Sequence, residues 1–251
     1  MRVEQVTKLI VPHEDGETVF LHPAFKGTLS QLAKQIDSFG LVKLSRPTSR
    51  QTISLVDDAW QNPNGKYEKE IIDILKDFLL YEFTGILYVK KQGKKDELCN
   101  GVFFEDNPQI KNGMFIMNRQ SLTSKLQSAK TIKTSSVDIL VSADKTIRYA
   151  PFGFKTEELS SSDLAKNAFS IGKYLEEGAE KAARVSGKYK LGPLLLLSEL
   201  NDNQELIKVP TLSSDFCGPG LCVGGGCHGG ERQARASGVL KTGEANTREN
   251  K

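Results

Sequence analysis

The sequence has little cysteine, no long apolar run and almost no net charge, and each shortage argues against a class of protein. Only four of the 251 residues are cysteine. Cys99 stands alone and the other three are crowded together, unlike the evenly spread cysteines that staple small secreted domains, so we expect reduced thiols. The longest apolar run, Pro193 to Leu197, is far shorter than the roughly 20 residues of a membrane-spanning helix. We therefore predict a soluble chain without a membrane span.

Basic and acidic residues nearly balance, with 34 of the first kind, 31 of the second and a formal charge of +3. A nucleic-acid-binding domain is usually strongly basic and clusters its Lys and Arg, so we expect no specific nucleic-acid partner. The amino terminus, MRVEQVTKLIV, lacks the continuous apolar stretch of a secretory signal. These features predict a protein that is cytoplasmic as synthesised, and that reaches a virion or cell surface only by a route without a classical signal.

Motifs that carry known chemistry are also missing. There is no Gly-x-Ser-x-Gly elbow, no Walker loop and no His-Glu-x-x-His. Proton carriers such as His13, Glu14, His22, Asp57 and Asp58 could form a general acid/base set. Since Asp57 and Asp58 are consecutive in a predicted helix and cannot converge on one proton, exposed polar residues are the favoured interpretation. We predict that the protein is not an enzyme and uses no cofactor.

The first third of the sequence favours helices. Thr28 or Ser30 can cap a first helix that stops at Gly40, and a second opens near Thr48. A third helix is predicted from Tyr67 to about Leu80. A strand from residue 3 to residue 11, ending in a loop, precedes them. Residues 1–83 are thus predicted as a mainly helical N-terminal part.

After residue 83 the apolar pattern changes to a period of two, which is typical of strands. Gly85–Val89 and Leu98–Phe104 predict a hairpin, and a helix is expected over Ile171–Val185. Further strands are predicted at 114–117, 137–141, 147–154, 193–197, 206–212 and 236–240, with 193–197 at the centre of a sheet. The prediction is an α+β fold with mainly antiparallel sheet, in which residues 84–240 form the C-terminal module and residues 241–251 a frayed tail.

The segment Phe216–Gly230, FCGPGLCVGGGCHGG, differs from the rest of the chain. It holds seven glycines, three cysteines and one histidine, and no Lys, Arg, Asp or Glu. Glycine destabilises helix and strand interiors, so the segment is interpreted as a loop with a function or as a degenerate tail. Its string Gly-x-Gly-x-x-Gly lacks the following helix and strand of a dinucleotide site.

A metal or redox site is the alternative for this segment, because thiolates and imidazole are ligands that zinc and copper(I) prefer. The four candidates are separated by four, four and zero residues, whereas structural zinc sites usually pair cysteines two to four residues apart. No Cys-x-x-Cys opens a helix, which disfavours a redox pair. The candidate metal ligands are Cys217, Cys222, Cys227 and His228.

Several segments resemble the variable proteins of diversity-generating retroelements, which occur in phages, bacteria and archaea, including nanoarchaeal forms. The resemblance is carried by RPTSRQTISLVDDAW, YAPFGFKTEELSSSDLAKN, EEGAEKAARVSGKYK, the strand PLLLL, and the closing TLSS and ARASGVLK that bracket the glycine-rich segment. It implies a C-type-lectin-like C-terminal module. It also implies hypermutation near the end of the chain, at positions where the template carries adenine. Randomising the first two positions of an Asn codon never yields Lys, Glu, Gln, Met or Trp. Phe216–Gly230 contains none of these residues.

The resemblance and the composition together predict a non-enzymatic binding protein. Its segment 216–230 would be a diversified recognition surface for a protein or surface ligand of unknown identity. The predicted ligand-facing residues are Phe216, Cys217, Pro219, Leu221, Cys222, Val223, Cys227 and His228. A structural or phage-associated domain with a meaningless tail is a third hypothesis.

Overall fold

The computed structural model describes residues 6–14, 16–91, 98–134, 137–151, 155–214, 220–225 and 232–241. Its helices are α1 (Leu29–Asp37), α2 (Ser49–Gln61), α3 (Lys66–Asp77), α4 (Arg119–Lys125), α5 (Ser161–Lys166) and α6 (Ala168–Ser186). Its strands are β1 (Thr7–His13), β2 (Gly16–His22), β3 (Phe25–Gly27), β4 (Leu44–Ser45), β5 (Leu80–Tyr81), β6 (Thr84–Lys90), β7 (Asn100–Asp106), β8 (Gln109–Lys111), β9 (Met114–Ile116), β10 (Lys130–Lys133), β11 (Asp138–Val141), β12 (Ile147–Pro151), β13 (Glu157–Glu158), β14 (Leu194–Leu196), β15 (Gln204–Lys208), β16 (Thr211–Ser214), β17 (Leu221–Gly224), β18 (Ala234–Ala236) and β19 (Val239–Leu240).

The helices begin where their sequences provide caps. Thr28 and Thr48 each accept a hydrogen bond from the backbone N–H three residues on, and the glutamine at that position bonds back to the cap. These capping boxes satisfy donors that a helix start leaves open. The predicted starts of α1 and α2 are therefore confirmed. Helix α3 ends at Asp77, earlier than predicted, because Leu80 and Tyr81 pair with β16 instead.

The described residues form four sheets: two large ones, one of four strands and the small hairpin of β8 and β9. A six-stranded sheet runs in the order β10-β11-β12-β7-β6-β15, and every neighbouring pair in it is antiparallel. A seven-stranded sheet runs β13-β14-β17-β16-β5-β18-β3, with parallel pairs at β14/β17 and β18/β5. A four-stranded sheet, β1-β2-β19-β4, joins strands from both ends of the described chain. The α+β class and the mainly antiparallel pairing are confirmed.

Three strand predictions need correction. The loop expected after the first strand is the turn of a hairpin, and β2 follows it directly. The strand expected over 206–212 is two strands in different sheets, because Pro210 has no N–H for a ladder and the chain changes sheet at Val209–Pro210. The strand expected over 236–240 is likewise divided between β18 and β19.

The largest apolar core draws side chains from both sides of residue 83. It contains Val11 and Ile53 from the N-terminal part together with Leu212, Leu221 and Val239 from the C-terminal part. Strands from both parts also share the four-stranded and seven-stranded sheets. The N-terminal part contains strands β1 to β5 as well as helices. The domain boundary at residue 83 stays a prediction. Both the sheets and the apolar core continue across it.

Helix α6 is the longest helix and contains a kink. Leu175 has φ 60° and ψ 176°, a conformation far from helical. We call residues 168–174 its first half and residues 176–186 its second half. The described residues contain no helix long and apolar enough to cross a membrane.

Candidate functional site

The described part of the glycine-rich segment is a strand in the interior. Leu221, Cys222 and Val223 lie in β17, which pairs with β14 on one side and β16 on the other. Their exposed fractions are 0%, 3% and 0%. The structure buries the three side chains that were predicted to face a ligand, because cover on both faces of the sheet turns an apolar strand into core. The remaining predicted contact residues, Phe216, Cys217, Pro219, Cys227 and His228, lie outside the described residues.

The carboxyl end of β17 is held by three hydrogen bonds. The N–H of Gly225 donates to the carbonyl oxygen of Leu196 at 2.8 Å. The hydroxyl of Tyr88 donates to the carbonyl oxygen of Gly225 at 3.0 Å, and Nζ of Lys173 donates to that of Gly224 at 3.3 Å. A β-carbon at Gly225 would lie 2.5 Å from Oη of Tyr88 and 2.6 Å from Cζ of Phe169. Close packing against Tyr88 and Phe169 therefore requires glycine at position 225.

The amino end of β17 also packs closely. A β-carbon added to Gly220 would lie 2.9 Å from the carbonyl oxygen of Gly192. Gly192 in turn approaches the carbonyl oxygen of Leu159, and the N–H of Leu159 donates to that of Pro193 at 3.0 Å. The exposed side chain of Leu191 lies beside Gly220. The body of the protein thus fixes both ends of the strand.

Of the four candidate metal ligands, only Cys222 lies among the described residues. Cys222 is a buried cysteine in β17, where its backbone neighbours on the adjacent strands are Ser213 and Leu194. Within the described ranges no three His, Cys, Asp or Glu side chains are grouped to hold a metal ion. Cys217, Cys227 and His228 lie outside those ranges.

Lys173 makes a fully buried ion pair. Its Nζ lies 2.5 Å from Oε2 of Glu82, and both side chains are 0% exposed. Burial raises the pKa of Glu82 above its usual range, although Lys173 and the neighbouring hydroxyls of Tyr174 and Ser49 oppose the rise. Burial removes the hydration of both charged groups. Their mutual attraction offsets this cost only when the geometry of the pair is good.

The kink of α6 exposes backbone carbonyls that Arg148 binds. Because Leu175 interrupts the helical ladder, the carbonyl oxygens of Gly172 and Lys173 accept from Nε of Arg148 at 2.8 Å and from its Nη2 at 3.4 Å. Arg148 is 0% exposed and also binds Asp106 through both Nη atoms, at 2.7 and 2.9 Å. Burial alone would raise the pKa of Asp106, but Arg148 and Arg50 hold it below its usual range.

A pocket of about 260 Å³ opens at the kink. Its lining includes Glu14, Lys145 and Leu175 together with the start of the second half of α6. Glu14 binds Arg50 and lies 3.3 Å from Nζ of Lys145. Both carboxylates and cations line the opening, so the lining offers hydrogen-bond donors and acceptors.

The inner wall of the pocket is a hydrogen-bonded group around Ser54. Nζ of Lys181 donates to Oγ of Ser54 at 2.9 Å, and Nδ1 of His13 lies 3.0 Å from the same oxygen. Lys181 also lies 2.6 Å from Oε1 of Glu177. Burial lowers the pKa of His13, with a smaller opposing effect from Glu14. His13 is therefore neutral near pH 7.

Two of the side chains expected to be exposed polar residues are buried. His22 is 8% exposed and its Nε2 lies 2.6 Å from Oε2 of Glu70. Asp57 is 7% exposed and receives two hydrogen bonds from Arg184, at 3.2 and 2.8 Å. Asp58 has a raised pKa, from burial and from the nearby Glu68 and Asp57. These groups belong to separate pairs and do not converge on one proton.

Arg148, Lys173 and Glu82 were not predicted from the sequence. Their long-range partners leave no local pattern, since Glu82 and Lys173 are far apart in the chain. One signal was present for α6: Gly172 and Gly178 interrupt an otherwise strong helical pattern, which often marks close packing. A β-carbon at Gly172 would lie 2.5 Å from the ring of Phe104.

Among known proteins the chain has a structural match but no sequence match. No protein-family model matches the chain, and no curated protein matches it in sequence. One solved structure, described as "Accommodation of massive sequence variation in Nanoarchaeota by the C-type lectin fold", matches with a TM-score of 0.52 and 13% sequence identity. The match covers 86% of this chain and 97% of that chain. The chain has the C-type lectin fold. This fold places β17 and its two fixed ends in the seven-stranded sheet.

Proposed function

We propose that this C-type-lectin-fold protein is a non-enzymatic binding protein. Its recognition surface would be made by residues 215–219 and 226–231, the two stretches that flank β17 and are called here the flanking segments. The single observation that supports this most directly is the anchoring of β17 at Gly220 and Gly225. A rigid body that fixes loop ends lets the loop sequence change while the fold is kept.

Burial differs along the glycine-rich segment and supports different roles for its residues. Leu221, Cys222 and Val223 contribute to the core, so they are assigned to the scaffold. Phe216, Cys217, Pro219, Cys227 and His228 are assigned to recognition. The ligand is a protein or another surface molecule that these small, apolar and sulfur-bearing side chains would contact.

The resemblance to retroelement variable proteins supports diversification of these positions. The neighbouring solved structure is described in terms of massive sequence variation in Nanoarchaeota, and the residue types of Phe216–Gly230 are all reachable by randomising adenine-rich codons. We extend this to the present chain as a proposal: the flanking segments vary and β17 does not.

A pair of display libraries tests the assignment. One library randomises positions 216, 217, 219, 227 and 228, and its control randomises Leu221, Cys222 and Val223. We expect most members of the first library to display as folded protein and few of the second, because replacing buried side chains costs about 2–5 kcal/mol each. Folded display is measured by protease resistance, and the first library is then selected against an immobilised test protein such as streptavidin.

Equal loss of folding in both libraries would contradict the proposal, and so would failure to recover any binder from the first. Sequencing the surrounding DNA provides an independent check. A neighbouring reverse transcriptase gene and an adenine-rich near-copy of the codons for 216–230 are expected. Zinc that copurifies with the protein and is lost in Cys217→Ser would instead support the metal alternative.

A further inference from the structure

Strand β1 forms one edge of the four-stranded sheet, and β2 is its only partner among the described strands. Two hydrogen bonds show which of its backbone groups point away from β2. Leu21, the partner of Lys8 in β2, donates its N–H to the carbonyl oxygen of Gly238 at 2.9 Å, on the side of β2 opposite to β1. The carbonyl oxygen of Pro12 accepts from Nζ of Lys181 at 3.3 Å, so it also lies outside the β1/β2 ladder.

Backbone groups that point out of a ladder recur at every second residue of an antiparallel strand. Lys8 and Pro12 both occupy such positions, and Ile10 lies midway between them. The N–H and C=O groups of Lys8 and Ile10 therefore line the open edge, and no described residue hydrogen-bonds to these groups. The side chain of Ile10 is 60% exposed, more than any other large apolar side chain described. An edge of this kind is a template for another strand.

A groove of about 190 Å³ lies beside this edge, between β1 and the helices α2 and α3. Leu9 and Val11, which alternate with the exposed side chains of β1, pack toward the core and line it from the strand. The helices supply further apolar lining from Leu55, Ala59, Tyr67 and Ile71. A strand added to the edge places every second side chain over this groove, because side chains of paired strands share their faces.

The groove also carries two carboxylates without a cation. Neither Asp58 nor Glu68 forms an ion pair with a described Lys or Arg, whereas Asp57 is paired with Arg184. Burial and the charge of Glu68 raise the pKa of Asp58, so the two carboxylates are close enough to repel each other. Lys8 is the one basic residue among those that line the groove. A cationic side chain that enters the groove relieves this repulsion.

We propose that the β1 edge and its groove bind an extended peptide segment of a protein partner, which adds a strand to the sheet and directs a Lys or Arg side chain to Asp58 and Glu68. The backbone groups of Lys8 and Ile10 supply affinity, and the apolar and acidic lining supplies selectivity. A second copy of the chain fits less well, because two-fold pairing of β1 edges brings the carboxylates of both copies to the same side of the joined sheet. The surface uses none of the flanking segments, so it stands or falls separately from the proposed function.

The charge preference is tested with the fluorescent peptide Thr-Val-Thr-Lys-Thr-Val-Thr, whose Val and Lys side chains share one face when it is extended. Fluorescence anisotropy measures its binding to the full chain, and the control peptide has Glu in place of Lys. We expect the Lys peptide to bind about fivefold or more tightly than the Glu peptide. In Asp58→Asn/Glu68→Gln this preference should disappear.

The backbone contact is tested with Ile10→Pro. The N–H of Ile10 points away from β2, so proline removes one edge donor and leaves the β1/β2 ladder complete. Binding of the Lys peptide should weaken about fivefold relative to Ile10→Val, the matched control that keeps the N–H. Thermal unfolding of both variants checks that the fold is kept. A Lys peptide with N-methylated backbone gives the same test on the unchanged protein.

The proposal is overturned if the Lys peptide shows no saturable binding, if the Lys and Glu peptides bind equally, or if N-methylation leaves the affinity unchanged. Amide hydrogen exchange identifies other occupants of the edge. The Ile10 amide is expected to exchange fast in the free protein and to be protected by the Lys peptide. Protection of this amide that rises with protein concentration, in the absence of peptide, would assign the edge to a second copy instead.

Discussion

The two halves of α6 each carry a buried lysine, and the lysines are used differently. Lys173 in the first half faces Glu82 with both side chains fully buried. Lys181 in the second half is 9% exposed and faces Glu177, which is 48% exposed, at the edge of a pocket. Burial of the partner thus separates the two lysines: the fully buried pair lies against a backbone carbonyl of β17, whereas the half-exposed pair lines the opening of a pocket.

The largest difference is expected when each lysine loses its charge. Lys173→Met should lower the free energy of unfolding by about 3–5 kcal/mol, because it leaves a buried carboxylate uncompensated. Lys181→Met should lower it by about 1–2 kcal/mol, since Glu177 can be hydrated and mainly the bonds to Ser54 and the Pro12 carbonyl are lost. Chemical denaturation followed by circular dichroism measures both. Equal losses in the two variants would remove the distinction between the halves.

The kink that separates the halves gives the second prediction. Leu175 occupies a backbone region that is nearly restricted to glycine, so Leu175→Gly should be more stable than Leu175→Ala by about 1–2 kcal/mol. This order is the reverse of that in an ordinary helix, where glycine is destabilising relative to alanine. The two variants lose the same contacts beyond Cβ, which makes each the control for the other.

Thermal or chemical denaturation of this pair decides whether the kink is strained. If the alanine variant is the more stable one, residue 175 is helical in solution and α6 is continuous. Arg148 would then lack its carbonyl partners at Gly172 and Lys173.

The smallest expected effect is a pH dependence that arises at His13, in the pocket beside the second half of α6. Burial lowers the pKa of His13 in the folded protein, so the unfolded chain takes up the proton first as pH falls. The free energy of unfolding should therefore decrease as pH falls from about 6.5 through the lowered pKa of the folded protein. The charges that face this imidazole are Glu14, Arg50, Lys181 and Glu177.

His13→Gln should flatten this part of the stability profile, measured by urea denaturation at pH 7.5 and 5.5. A profile that keeps its slope in His13→Gln would show that another group is responsible.

Local patterns were enough to predict much of the secondary structure. The capping residues Thr28 and Thr48, the hairpin of β6 and β7 and the long helix α6 follow from spacing that a few consecutive residues determine. The change of sheet at Pro210 depends on pairing with distant strands, so the local pattern predicted it poorly.

The site was less predictable than the fold. Composition identified the glycine-rich segment but placed Leu221, Cys222 and Val223 on the surface, because glycine-rich neighbours hid a short strand that is covered on both faces. Lys173 and Glu82 meet only through the fold, and charged residues in a sequence are interpreted first as exposed. The kink at Leu175 has no single-residue signal apart from its neighbouring glycines.

The four-stranded sheet has a consequence for how the glycine-rich region can evolve. Val239 in β19 pairs with Phe20 in β2 and with Ser45 in β4, and Ala234 in β18 pairs with Gly27 in β3. Strands that follow the region in sequence therefore complete sheets to which β2, β3 and β4 also belong. A frameshift between β17 and β18 would delete those partners and leave early strands unmatched. The requirement to fold would therefore permit base substitutions in this region and select against insertions or deletions that shift the reading frame.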